Sequence, residues 1–96
     1  MIVRIVKMNF QHDKLENFKH IFLTTKDKIV GFEGCKHVEL LNDINNSNIF
    51  FTYSHWESLE HLERYRQSEL FKTTWAKTKV LFAEKAEAWT LKNVTN

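Results

Sequence analysis

The run Gly31-Phe32-Glu33-Gly34, followed by CKHVELLN at 35–42, DINNS at 43–47 and NIFFTYSHW at 48–56, decides the fold. Residues 48–56 are dense in the aromatic and β-branched types that suit a pleated, half-buried surface, and 35–42 read as a second strand. Between them Asp43-Ile44-Asn45-Asn46-Ser47 supplies turn chemistry, because short polar side chains can bond to their own backbone. The two strands therefore form an antiparallel hairpin. Gly31 and Gly34 mark the end of the element before it, since glycine adopts a left-handed stop without steric cost.

Outward from the hairpin, residues 2–10 (IVRIVKMNF) read as a strand free of turn residues. Asp13 and Glu16 have the spacing of a capping box at a helix start. Leu15, Phe18, Phe22 and Ile29, with Ile21, then recur at helical spacing and make one apolar face. Downstream, Ser58 caps a second helix carrying Leu59, Leu62 and Tyr65, and Ser68, followed by Glu69, caps a third. On the third helix Phe71, Trp75, Thr78 and Phe82 form a stripe, with Leu81 beside it. Residues 86–92 (AEAWTLK) close the chain as a strand. The order predicts an α+β fold, a ferredoxin-like split βαββαβ with an antiparallel four-stranded sheet, as one domain over residues 1–96.

Alternation along the strands gives the sheet two apolar faces. In the first strand Ile2, Val6, Met8 and Phe10 point one way and Val3 and Ile5 the other. In the third, Phe50, Thr52, Ser54 and Trp56 share a face, opposite Ile49, Phe51 and Tyr53. Helices in this topology cover one face only, so the other calls for a partner. The expectation is a homodimer joined through the sheet face.

Composition narrows the function. A net charge of +2 on 96 residues, without a basic stripe, argues against nucleic acid as a partner. No run is long enough for a membrane span, and the N-terminal stretch is interrupted by Arg4 and Lys7 too early for a signal-peptide core. A single cysteine, Cys35, cannot form an intramolecular disulfide. A cytoplasmic location is expected. Aromatic residues at 14%, with eight Phe, three Trp and two Tyr, exceed what a small core requires. They go into packing, into a subunit interface or around a small hydrophobic or aromatic ligand.

The glycine turn with Cys35, then Tyr53-Ser54-His55-Trp56-Glu57-Ser58, then Arg66-Gln67-Ser68-Glu69-Leu70-Phe71, resembles the antibiotic biosynthesis monooxygenase family over essentially the whole chain. The resemblance implies a dimeric ferredoxin-like α+β barrel. It also implies one of several activities: cofactor-free oxidation of quinols or anthrones, autoinducer processing, or haem degradation. It places Trp56 on the wall of a pocket between sheet and helices. Where the haem-degrading branch carries an axial histidine this chain resembles it with Trp75, whose indole N–H cannot ligate iron. The strand asparagine of that branch corresponds to Val6. Haem degradation is disfavoured. Tyr65 stands where the autoinducer-processing branch has a histidine, and Thr52 where the polyketide-oxidising branch has an asparagine four residues before the tryptophan.

The function expected is a cofactor-independent monooxygenase acting with dioxygen on a small electron-rich aromatic, quinol or anthrone-like. Trp56 and Tyr65 are the candidate catalytic residues, and Phe50, Thr52, Phe71 and Trp75 the candidate substrate wall. The alternative is a non-catalytic dimeric module that binds a small ligand or a protein. An enclosed pocket holding Trp56 and a hydroxyl favours the first, a filled core the second. No cofactor and no metal are expected. His37, His55 and Glu39 share strand parity and meet in one possible hairpin register, but a metal site needs a fuller ligand set. His12, His20 and His61 read as surface residues, Arg66 as solvated and Cys35 as a small buried hydrophobe.

Overall fold

A computed structural model describes residues 1–95; Asn96, the last residue of the expected domain, lies outside them. The elements are β1 (Ile2–Phe10), α1 (Leu15–Val30), β2 (Cys35–Asn42), β3 (Ile49–Trp56), α2 (Leu59–Arg66), α3 (Glu69–Lys79) and β4 (Phe82–Lys92). The four strands form one antiparallel sheet in the order β2-β3-β1-β4. This is the ferredoxin-like arrangement expected, with the three helices on one face. No helix among the described residues is long and apolar enough to cross a membrane.

The hairpin forms as its turn residues dictate. Asp43 Oδ2 accepts the backbone N–H groups of Asn45 (3.0 Å) and Asn46 (2.9 Å), and Asn42 Nδ2 donates to the Ile49 carbonyl at 2.8 Å. Ser58 and Ser68 cap α2 and α3 by accepting the N–H of His61 and of Phe71. Of the two glycines only Gly34 is left-handed, at φ +88°, while Gly31 ends α1 in helical geometry.

Two sequence expectations are corrected. Asp13 and Glu16 do not make a capping box: His12–Lys14 is a 3-10 turn, and Lys14 precedes α1 without a side-chain cap. The chain leaves β1 so abruptly that Lys14 N bonds to the Gln11 carbonyl at 2.9 Å, and this tight turn takes the place of the cap. Phe82 is not helical either. It begins β4, paired with Phe10, and the Gln11 N–H donates to the Leu81 carbonyl at 2.9 Å. Pairing with β1 wins over helical periodicity there, so the last strand is longer than 86–92. The contact implied by the stripe survives, with the Trp75 and Phe82 rings 5.5 Å apart.

The core lies between α1 and the helix-side face of the sheet. Phe10 is fully buried, stacked on Phe18 at 4.1 Å and tilted against Phe82. Phe22, Ile29, Met8, Val38 and Phe50 complete the cluster. Burying a side chain such as Phe10 contributes about 1.5–3 kcal/mol. The opposite face, which pairing shows to carry Val3, Ile5, Phe51, Tyr53, Trp89 and Leu91, has none of the helices among the described residues over it. Trp89 remains 42% exposed there.

Candidate functional site

A cavity of about 280 Å³ separates the helices from the sheet beside this core. Strand register explains why space is left there. Val6 sits between Thr52 of β3 and Ala88 of β4, so three small or medium side chains share one row across the sheet. The helices cannot sink into the gap because large rings hold them up. Trp56 stacks on Tyr65 with centroids 4.8 Å apart, Tyr65 meets Phe71 edge-on at 5.3 Å, and Phe71 lies parallel to Trp75 at 5.9 Å. A sequence of rings from β3 through α2 to α3 thus forms one wall.

Of the six site residues expected from sequence, five line the cavity: Trp56, Tyr65, Thr52, Phe71 and Trp75. Phe50 does not. It lies in the core, 5.3 Å from Phe18 and 6.0 Å from Phe10, because its row on β3 falls under α1. Trp56 is only 1% exposed, and its indole N–H is already used, donating to Ser54 Oγ at 3.0 Å. Ser54 Oγ in turn lies 3.4 Å from the Arg4 carbonyl, to which it donates. The indole is therefore locked in orientation by its neighbour two residues back on the same strand face. Burial pushes the Tyr65 phenol far above its ordinary value, with the nearby Cys35 thiol adding to the effect. Tyr65 consequently remains a neutral hydroxyl, able to donate a hydrogen bond and unsuited to act as a base.

The two charged residues on the wall were not singled out by sequence reasoning as binding groups. Arg4 lies on β1 between Ser54 and Thr90, and its Nη1 donates to Thr90 Oγ1 at 2.6 Å. Arg66, at the end of α2, reaches the same cavity while pairing with Glu63 at 3.2 Å. The signal for Arg4 was present in the alternation: it shares parity with Val6 and Met8, and a charge on the inward face of a central strand is unusual. Arg66 carried no such mark, since its approach depends on how α2 docks. The wall contains no histidine, cysteine or carboxylate.

The histidines sit elsewhere. The register places His37 directly opposite His55 on the uncovered face, with ring centroids 5.7 Å apart, and His37 Nε2 lies 3.5 Å from Glu39 Oε1. Among the described residues no group of three or more His, Cys, Asp or Glu side chains is arranged to hold a metal. His61 is not a free surface residue: its Nδ1 lies 2.7 Å from Ser58 Oγ, and its ring covers Gly34. Cys35 is half-buried against the core, and burial raises its thiol pKa.

A ferredoxin-like α+β domain with an aromatic-walled cavity on its helix side is the class that fold and site define. The model of the antibiotic biosynthesis monooxygenase family matches residues 1–77, and the chain belongs to that family. Solved structures agree on the fold. A conserved protein from Methanosarcina mazei Go1 superposes with a TM-score of 0.90 at 17% identity, over 96% of this chain and 92% of that one. Rv0793 from Mycobacterium tuberculosis gives 0.91 at 13% identity, over 99% and 96%. A protein named as an antibiotic biosynthesis monooxygenase gives 0.92 at 13%, over 99% and 100%. At such identities the likeness is one of fold. No curated protein sequence matches the chain.

Proposed function

We propose that this chain is a cofactor-independent monooxygenase, acting in the cytoplasm on a small electron-rich aromatic. The observation that carries the reading is the cavity between sheet and helices, with an aromatic wall and the hydroxyls of Thr52 and Tyr65. Its volume is at the small end of ligand pockets, so a quinol of one or two rings suits it better than a three-ring anthrone. In the reaction the ionised phenol reduces dioxygen. One oxygen atom enters the ring to give a quinone and the other leaves as water, so substrate electrons suffice. The protein supplies orientation, exclusion of water and hydrogen bonding to the developing charge. Trp56 holds the ring plane, Tyr65 and Thr52 offer hydroxyls, and Phe71 and Trp75 bound the site. Phe50 acts from behind, as core support.

The same proposal includes a homodimer joined through the uncovered sheet face, because no helix shields its apolar side chains. A non-catalytic ligand-binding dimer is the second reading, favoured by the absence of any imidazole, thiol or carboxylate from the wall among the described residues. An oxygen electrode separates the two. Quinols should consume one dioxygen per quinone formed, at a rate reduced at least tenfold by Trp56→Phe. Saturable quinol binding without oxygen uptake would leave the binding module.

A further inference from the structure

We infer that the cavity takes its aromatic ligand as an anion, with the charged oxygen held at the Arg4–Arg66 end. This deepens the proposed function by naming the form of the substrate, and its test does not depend on turnover.

Charge is distributed unevenly along the cavity. At one end β1 contributes Met8, with Phe18 and Phe22 from α1 above it. At the other end the row Ser54–Arg4–Thr90 crosses the sheet, and α2 brings Arg66 to the same space. Arg4 has no carboxylate within ion-pair distance among the described residues; its Nη1 rests on the Thr90 hydroxyl. Glu63 pairs with Arg66 and offsets one of the two charges, so this end retains a positive excess. Loss of solvent around Arg4, and then the nearness of Arg66, push the Arg4 guanidinium below its ordinary value. An anionic ligand oxygen would relieve both effects.

The rest of the wall supports this assignment. With no imidazole, thiol or carboxylate lining the cavity, no side chain there is suited to remove a phenolic proton. Tyr65 stays neutral and the Trp56 N–H is engaged by Ser54. A cavity of this kind favours ligands that ionise by themselves or under the field of the two guanidinium groups. The matching class is acidic phenols and quinols, planar and no larger than two rings, binding by charge-assisted hydrogen bonds to arginine.

The test uses 4-nitrophenol, whose anion absorbs visible light and whose neutral form does not. Titrated with a saturating concentration of the protein, its apparent pKa should fall by at least about one unit, corresponding to roughly tenfold tighter binding of the phenolate. Arg4→Gln should abolish the fall or reverse it, since an apolar cavity by itself favours the neutral phenol. Arg66→Gln, on an exposed helix end where folding is not at stake, should reduce it. An unchanged or raised pKa in the unaltered protein overturns the inference. So does a fall retained in both variants, or failure of either form of the probe to bind. A lowered probe pKa without oxygen uptake from any quinol sinks the monooxygenase reading and leaves this one standing.

Discussion

Ser54 decides how Trp56 presents itself to the cavity. Its hydroxyl accepts the only N–H of the indole, inside a region where an unpaired donor costs about 1–3 kcal/mol. Ser54→Ala should therefore lower stability by about 1–2 kcal/mol in urea unfolding and loosen the indole, seen as a broadened and red-shifted tryptophan emission. Trp56→Phe should cost more, about 2–3 kcal/mol, because it removes ring volume as well as the hydrogen bond. Tyr65 makes a prediction about alkaline pH. Its folded pKa is raised above the unfolded value of about 10, so the folded state keeps a proton that the unfolded state releases. Its stabilising contribution is present below pH 10 and is lost as pH climbs toward the folded value. Urea midpoints at pH 9, 10 and 11 should fall, and Tyr65→Phe should flatten that decline. Cys35 acts with the same sign and smaller weight, so the difference between the two proteins is the quantity to read.

At the scale of elements, the turn between α1 and β2 and the start of α2 form one unit. Gly34 lies at φ +88°, and a Cβ there would stand 2.3–2.5 Å from atoms of the His61 side chain. Gly34→Ala should destabilise by at least about 2 kcal/mol, combining a left-handed alanine with a clash that forces α2 away from the sheet. Gly31 has ordinary helical dihedrals, and its Cβ would meet only the Asp27 carbonyl, at 3.3 Å, with Lys28 further off. Gly31→Ala should cost far less, and the contrast between the two melting curves checks the geometric reason. Ser58→Ala should lose about 1 kcal/mol, since its hydroxyl both caps α2 and orients His61. Because Leu62, Tyr65 and Arg66 all approach the cavity from α2, either disruption should also weaken binding of aromatic ligands.

For the whole molecule, the sheet separates two roles. Its helix-side face forms the floor of the cavity, and its other face presents Phe51, Tyr53, Trp89 and Leu91 without cover from any described helix. Light scattering at micromolar concentration should give twice the chain mass, and Phe51→Glu should shift it toward the monomer. A monomeric mass for the unaltered protein would remove the dimer from the proposal. His37 and His55 lie opposite one another on that face, and His55 Nε2 is buried without a hydrogen-bond partner among the described residues.

Periodicity and turn chemistry in the sequence determined the strands, the helices, the hairpin and their order. These depend on local preference and on the burial of one face at a time, both of which are written along the chain. The resemblance to the antibiotic biosynthesis monooxygenase family, more than strand parity or helical spacing, placed Trp56, Thr52, Tyr65, Phe71 and Trp75 around a common space. The sequence did not reveal that Phe50 would fall under α1, that Phe82 would join β4, or that His61 would close over Gly34. It was equally silent on Arg66, although the parity of Arg4 carried a readable hint. Each of these depends on how far helices stand from the sheet and in which register β4 pairs, distances set by packing among residues remote in sequence. The cavity belongs to that same category. It exists because Val6, Thr52 and Ala88 meet in one row beneath rings too large to descend, and only the tertiary structure brings those residues together.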